Sequence, residues 1–281
     1  MIIYKQYTRQ ELDNQYNNRL HVPDFATYLE RWDTWSEAAR QKHPYIKDLQ
    51  YGDHPRECLD IFPSGKGSSK VLVFIHGGYW QLFDKTKFHF VADAFLRHHI
   101  TTVVINYPLA PAAAMDDIVA SCRKAVRWLQ QNLATYYVDP QQVFIAGHSA
   151  GAHLATMLMS KESGVEIAHF IRGMCLLSGL YNLVPIQLSY VNAGLGMDKE
   201  TALSNSPVNL SAVQTCPLLV AAGGAETAEF KDQSRELYNC WKTTTPVELM
   251  EVQGHNHYSI LDALVDEHTS LYKGMMKLME E

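Results

Sequence analysis

The sequence lacks any apolar run approaching the ~18 residues that a membrane-spanning helix requires. Its first nine residues, Met1-Ile-Ile-Tyr-Lys-Gln-Tyr-Thr-Arg9, hold no apolar stretch of signal-peptide length. A soluble protein is expected. A C-x-x-C pair is also missing. The five cysteines, Cys58, Cys122, Cys175, Cys216 and Cys240, are odd in number and far apart. That argues against a disulfide framework and for small core thiols in a reducing, cytoplasmic compartment. Positive charge is in deficit, with 24 Lys and Arg against 30 Asp and Glu and a net charge of −6. Such a chain has no basic footprint for nucleic acid or an anionic membrane. No internal repeat or low-complexity tract is visible.

What is present is enough apolar content, 47% over 281 residues, to bury a large core within one domain, residues 1–281. Residues 1–50 read as a polar and aromatic N-terminal helical extension, with helical spacing over Arg9–Tyr16 and Phe25–Lys42. Its Tyr and Trp residues (Tyr4, Tyr7, Tyr16, Tyr28, Trp32, Trp35) are expected to staple it to the rest of the chain; the alternative is that some line the mouth of a pocket. From Leu59 onward strands and helices alternate. Strands are predicted at Leu59–Phe62, Val71–His76, Thr102–Asn106, Val143–Ala146, Gly173–Ser178, Leu218–Ala222 and Val247–Val252. Helices are predicted at Phe88–His98, Asp116–Asn132, Ala152–Ser160, Ala228–Trp241 and Ile260–Met279. Repeated β-α-β units predict an α/β fold, a mostly parallel central sheet with helices on both faces, and ligands beyond the carboxyl ends of its strands. The stretch of about 181–210 interrupts the alternation and reads as a small cap insertion.

One segment organises the rest. In Gln142-Val-Phe-Ile-Ala-Gly-His-Ser-Ala-Gly-Ala-His-Leu154, a buried-type strand runs into a turn relieved of side chains at Gly147, Ala150 and Gly151, with Ser149 at the apex. Such a strand, turn and helix is the G-x-S-x-G nucleophile elbow, which lifts a hydroxyl out of the sheet near the positive end of a helix. Acyl transfer also needs a base, a carboxylate to orient it and donors for the oxyanion. Donors are expected from the Ala150 N–H and from the loop His76-Gly77-Gly78-Tyr79-Trp80, which follows a predicted strand. In the order Ser, acid, His, the acid is expected at Glu226, in the turn after a strand, rather than at Glu229, which begins the next helix. The base is expected at His257, just before the C-terminal helix, rather than at His255. An H-x-H metal pair lacks a third ligand at a telling spacing. His148 and His153, flanking Ser149, read as packing or hydrogen-bonding residues rather than bases, directed away from its hydroxyl. His54, His89, His98, His99 and His169 read as solvated.

The segments Tyr4–Arg19, His76-Gly-Gly-Tyr-Trp-Gln81, Gly147-His-Ser-Ala-Gly-Ala-His-Leu154 and Asn256-His-Tyr-Ser-Ile260 resemble the arylformamidase (kynurenine formamidase) branch of the α/β hydrolases. That branch is itself similar to the hormone-sensitive-lipase-like esterases, whose Y-R-L-A-P run Tyr107-Pro-Leu-Ala-Pro111 also resembles. The resemblance runs nearly end to end. It implies an α/β-hydrolase fold with Ser149 as nucleophile, His257 as base, Gly77, Gly78 and Ala150 as oxyanion donors, and neither metal nor cofactor. Two positions depart from the pattern: Glu226 stands where the family acid is usually Asp, and Tyr79 stands where the lipase-like esterases usually have a third glycine. Tyr79 and Trp80 are weak candidates for the substrate pocket, with packing beneath the cap as their alternative. The implied activity is cleavage of an aryl formamide or carboxylic ester through an acyl-enzyme. A broad carboxylesterase or lactone hydrolase is the alternative, and a non-catalytic binding member of the fold is the competitor from another class. The expected partner is a small-molecule ester or amide, with neither nucleic acid nor membrane; a homodimer is left open.

Overall fold

Side chains of consecutive strand residues point to opposite faces, so a strand that is apolar at every position needs cover on both sides. The central strands of this chain have that cover. The computed structural model describes residues 1–65, 70–136, 142–210 and 216–280. Its N-terminal part runs β1 (Ile2–Tyr4), β2 (Tyr7–Thr8), α1 (Arg9–Tyr16), α2 (Asn18–His21), α3 (Phe25–Lys42) and β3 (Ile46–Gln50). There follow β4 (Cys58–Phe62), β5 (Lys70–Ile75), α4 (Phe90–Leu96), β6 (Ile100–Ile105), α5 (Met115–Asn132), β7 (Val143–His148), α6 (Ala150–Met157), α7 (Val165–Phe170) and β8 (Ile171–Leu177). The rest is α8 (Val184–Gln187), α9 (Asn192–Leu195), α10 (Lys199–Ser204), β9 (Leu218–Gly223), α11 (Ala228–Trp241), β10 (Val247–Val252), α12 (Ser259–Val265) and α13 (Ser270–Glu280).

Eight strands form one sheet in the order β10-β9-β8-β7-β5-β6-β4-β3. The six from β10 to β6 pair in parallel, and β4 and β3 join antiparallel at the edge. Val71, Val73 and Ile75 of β5 pack into one core with Leu154 of α6 and Phe230 of α11. Leu72 and Phe74, one residue out of phase, pack into a second core with Trp32 of α3, Phe95 of α4 and Leu271 of α13. This is the mostly parallel sheet with two covered faces that the strand pattern predicts.

Three expectations need correction. Residues 1–50 are not wholly helical: β1 and β2 pair with each other, and β3 is the edge strand of the main sheet. In β3 only Ile46 and Leu49 are apolar and partly buried, and Asp48 at φ +56 breaks the alternation that marks a strand. The helix expected over Ile260–Met279 is two. Asp266 turns extended, and the Thr269 hydroxyl accepts the Tyr272 N–H at 3.1 Å at the start of the second helix. His89 is fully buried, with Nε2 2.8 Å from Asp60, which also holds Lys85 at 3.0 Å. A histidine read as solvated sits instead in a buried charge cluster.

The stretch of about 181–210, expected to be a cap, folds as α8, α9 and α10 followed by a turn at Pro207–Asn209. It is tied down by polar contacts. The Gln233 side-chain carbonyl accepts the Tyr181 and Asn182 N–H groups, both at 2.7 Å. Asn205 donates to Asp116 at 2.7 Å.

Candidate active site

At the end of β7 the chain must reverse into α6 within one residue. Ser149 makes that turn at φ +56, ψ −119, a strained backbone that only a well-determined surrounding holds. The small residues around it are required by contact. A Cβ on Gly147 would strike the Gly151 carbonyl, and one on Gly151 would strike the Ile75 carbonyl of β5. The Ser149 N–H donates to Leu177 at 2.8 Å and ties the elbow to β8.

Three loops converge on this serine. His257 Nε2 is 3.1 Å from Ser149 Oγ, and its Nδ1 is 3.0 Å from Glu226 Oε2. A carboxylate can only accept, so Nδ1 carries the proton and Nε2 is left as the acceptor facing the serine hydroxyl. The other carboxylate oxygen of Glu226 accepts the Gly223 N–H at 2.6 Å and the Ser178 hydroxyl at 2.5 Å. All three side chains are buried. The expected trio of Ser149, Glu226 and His257 is therefore brought together.

The competing residues lie elsewhere. Glu229 is bonded to Lys5 at 3.1 Å and receives the Tyr16 hydroxyl at 3.5 Å, so it anchors the N-terminal segment. His255 Nδ1 is bonded to the Ser259 carbonyl at 2.9 Å.

The loop after β5 runs beside the elbow. A Cβ on Gly77 would lie 2.9 Å from Ser149 Cβ and 2.8 Å from the His148 carbonyl, so only glycine brings this backbone so near the hydroxyl. Gly78, at φ +110, begins a tight turn in which its carbonyl accepts the Gln81 and Leu82 N–H groups. Tyr79 and Trp80 follow at φ +51 and +58. A third glycine would adopt that left-handed backbone freely. Here side chains hold it instead: the Tyr79 hydroxyl donates to the Tyr16 carbonyl at 2.6 Å, and Trp80 Nε1–H donates to His153 Nδ1 at 3.1 Å.

Tyr79 lines a cavity of about 420 Å³ that reaches Ser149 and His257. Trp80 does not line it. Fully buried against His153, it packs beneath the cap, which corrects its assignment to the substrate pocket. His153 completes the tie by donating Nε2–H to the Asn205 carbonyl of the cap at 2.8 Å. Burial holds its pKa down at about 4, so the ring stays neutral with one nitrogen accepting and one donating. The N-terminal segment roofs the same cavity through Asn18, Arg19, Phe25 and Trp32, which favours the pocket-lining alternative for part of that segment.

Two neighbours of the site were missed as such. His148 lines the cavity and is not directed away from it. Its Nε2–H donates to the His257 carbonyl at 2.8 Å, and its ring lies 4.8 Å from the His257 ring. Burial, with the adjacent His257 as a second cause, holds its pKa well below the usual imidazole range. It is a neutral strut under the histidine loop. Ser178 closes β8 at φ +49 and holds Glu226. Nothing local in Cys175-Leu-Leu-Ser178 points to that role.

Sheet order, elbow and converging loops define the chain as an α/β hydrolase. The BD-FAE family profile matches residues 59–172. The kynurenine formamidase of Danio rerio is 31% identical over 98% of this chain and 98% of its own length. That of Salmo salar is 31% identical over 96% and 95%. A crystal structure described as a candidate thioesterase from Silicibacter sp. superposes with a TM-score of 0.83 at 28% identity, covering 94% of this chain and 98% of that one. The chain belongs to the kynurenine formamidase family and is a hydrolase of the arylformamidase and esterase type.

Proposed function

We propose that the protein cleaves aryl formamides, with Ser149 as nucleophile, His257 as general base and acid, and Glu226 orienting the imidazole. The 3.1 Å approach of His257 Nε2 to Ser149 Oγ carries this reading. His257 takes the hydroxyl proton as Oγ bonds to the formyl carbon. The oxyanion is received by backbone N–H groups of Gly77, Gly78 and Ala150, and Glu226 faces the imidazolium that forms. His257 then passes its proton to the leaving arylamine. Water, deprotonated by the same ring, attacks the formyl-serine, releasing formate and restoring the Ser149 hydroxyl. The kynurenine formamidases of the two fishes support a formamide as substrate. Five unpaired cysteines, four of them buried, support a reducing, cytoplasmic setting; no helix among the described residues is long and apolar enough to cross a membrane.

The test compares kcat/KM for N-formylkynurenine with that for p-nitrophenyl acetate and butyrate. A preference for the formamide of a hundredfold, about 2.7 kcal/mol of transition-state discrimination, supports the reading. The same preference for the esters makes the protein a broad carboxylesterase. A fluorophosphonate should label wild type and not Ser149→Ala. Failure to label wild type would point to a binding protein.

A further inference from the structure

Ser178 stands immediately after β8 at φ +49 and is fully buried. Glycine adopts that left-handed backbone freely, whereas any side chain there is strained. What serine adds to the turn is one hydroxyl, and it is directed at the triad acid. Its Oγ–H donates to Glu226 Oε1 at 2.5 Å, the short range of a bond to a carboxylate. The Ser178 N–H is bonded to the Ala221 carbonyl at 2.7 Å, which pins the turn to β9, the strand that leads to Glu226. One residue earlier, the Leu177 carbonyl accepts the Ser149 N–H at 2.8 Å. Consecutive residues of one strand end therefore hold the backbone of the nucleophile and the side chain of the acid.

Glu226 needs that hold more than an aspartate would. Its side chain has one more rotatable bond, and freedom about it would swing Oε2 away from His257. Oε1 is fixed by two donors, the Ser178 hydroxyl and the Gly223 N–H at 2.6 Å, which leaves Oε2 to His257 Nδ1–H at 3.0 Å. The Gly223 bond lies within the turn that carries Glu226 itself. Ser178 reaches in from the neighbouring strand and ties the carboxylate to the frame that carries Ser149.

We propose that Ser178 is a positioning residue for the reaction: its hydroxyl locks the rotamer of Glu226, so that Oε2 stays on His257 Nδ1–H while the imidazolium forms. This rests on the catalytic assignment above. Neither Ser178 nor Glu226 lines the cavity, so loss of the contact falls on kcat and spares KM.

The decisive variant is Ser178→Gly, which removes the hydroxyl and relieves the backbone. If serine served the turn alone, this variant would be as stable and as active as wild type. Instead kcat should fall about tenfold or more on p-nitrophenyl acetate and on N-formylkynurenine, with KM within about twofold. Fluorophosphonate labelling of Ser149 should slow by the same factor. Adding Ser178→Gly to Glu226→Gln should cost less than about a further twofold in kcat, because the hydroxyl acts through the carboxylate.

Turnover in Ser178→Gly within about twofold of wild type, with Glu226→Gln impaired, overturns the proposal and leaves the triad standing. A loss carried in KM, or one fully additive with Glu226→Gln, overturns it as well. Wild-type turnover in Glu226→Gln removes the acid itself from the mechanism, and Ser178 with it. If N-formylkynurenine is not cleaved, the formamide reading fails while the ester and the labelling rate still decide Ser178. Should Ser178→Gly not fold, Ser178→Ala, which keeps the Cβ and loses only the hydroxyl, is read in the same way.

Discussion

The floor of the active site and its roof are held by different means. The floor comprises the elbow at Ser149, the loop at Gly77 and the turn at Glu226, each at the carboxyl end of a parallel strand. It is fixed by backbone geometry, with Gly147 and Gly151 packed against carbonyls and Glu226 bonded to Gly223 and Ser178. The roof, made of α1, α2 and the cap, is fixed by polar side chains from distant parts of the chain. Lys5 meets Glu229, Asp13 meets Tyr190, Gln233 meets Tyr16, and His153 meets Asn205. A floor of this kind can place atoms for chemistry, because packed carbonyls cannot yield. A roof joined by side-chain hydrogen bonds and ion pairs, with Lys5 alone meeting both Glu229 and Asp232, can be adjusted contact by contact, which suits a region that must admit substrate.

If that contrast is right, changes in the floor abolish catalysis and changes in the roof retune binding. Ser149→Ala should lower kcat by about 10⁴-fold or more, read with a fluorogenic ester, with little change in melting temperature. Glu226→Gln keeps the shape and loses the charge that faces the imidazolium; a fall in kcat of about 10³-fold is expected, and near-wild-type turnover would remove Glu226 from the catalytic set. Gly77→Ala forces a methyl onto the His148 carbonyl and the Ser149 side chain. It should cost about 10²-fold in kcat by displacing the donors of this loop.

Acid probes the buried histidines of both parts without mutation. His76 and His153 are held down at about 4 by burial, and His148 is held well below the usual imidazole range, chiefly by burial, whereas each takes up its proton near 6.5 when unfolded. The unfolded chain therefore binds more protons as pH falls from about 6.5 to 4. Stability should drop by about 1.4 kcal/mol per pH unit for each such group, measured by urea denaturation at several pH values. A flat profile would show that these rings are not buried neutral.

The smallest effect belongs to the roof. Asp13→Ala removes the acceptor of the Tyr190 N–H and should cost about 1 kcal/mol of local stability. KM should rise a few-fold with kcat held, and a large loss of kcat would merge roof and floor into one unit.

How legible each part was in the sequence follows the same division. The elbow is local chemistry, a β-run, three small residues and a serine within nine positions, and the structure places it as read. Glu226 and His257 were accessible because strand ends in a parallel sheet share one edge, so loops far apart in the chain are bound to meet there. His148 and Ser178 were not, because each acts through an atom supplied by another loop, the His257 carbonyl and the Glu226 carboxylate. His89 was misread, and Trp80 was left open between pocket and packing, for one reason. An aromatic after Gly-Gly and a histidine before a helix look equally able to face a ligand, water or the core, and only the packing partners decide.

Strand alternation, glycines at contact points and the spacing of serine, acid and histidine are properties of short segments, and those short-range patterns determined the sheet, its helices and which side chains are candidates for the chemistry. What the chain order left undecided is which side chains close over the cavity. That depends on hydrogen bonds across more than a hundred residues, such as Lys5 to Glu229 and Asp13 to Tyr190, whose geometry exists only once the sheet has brought both ends to the same edge.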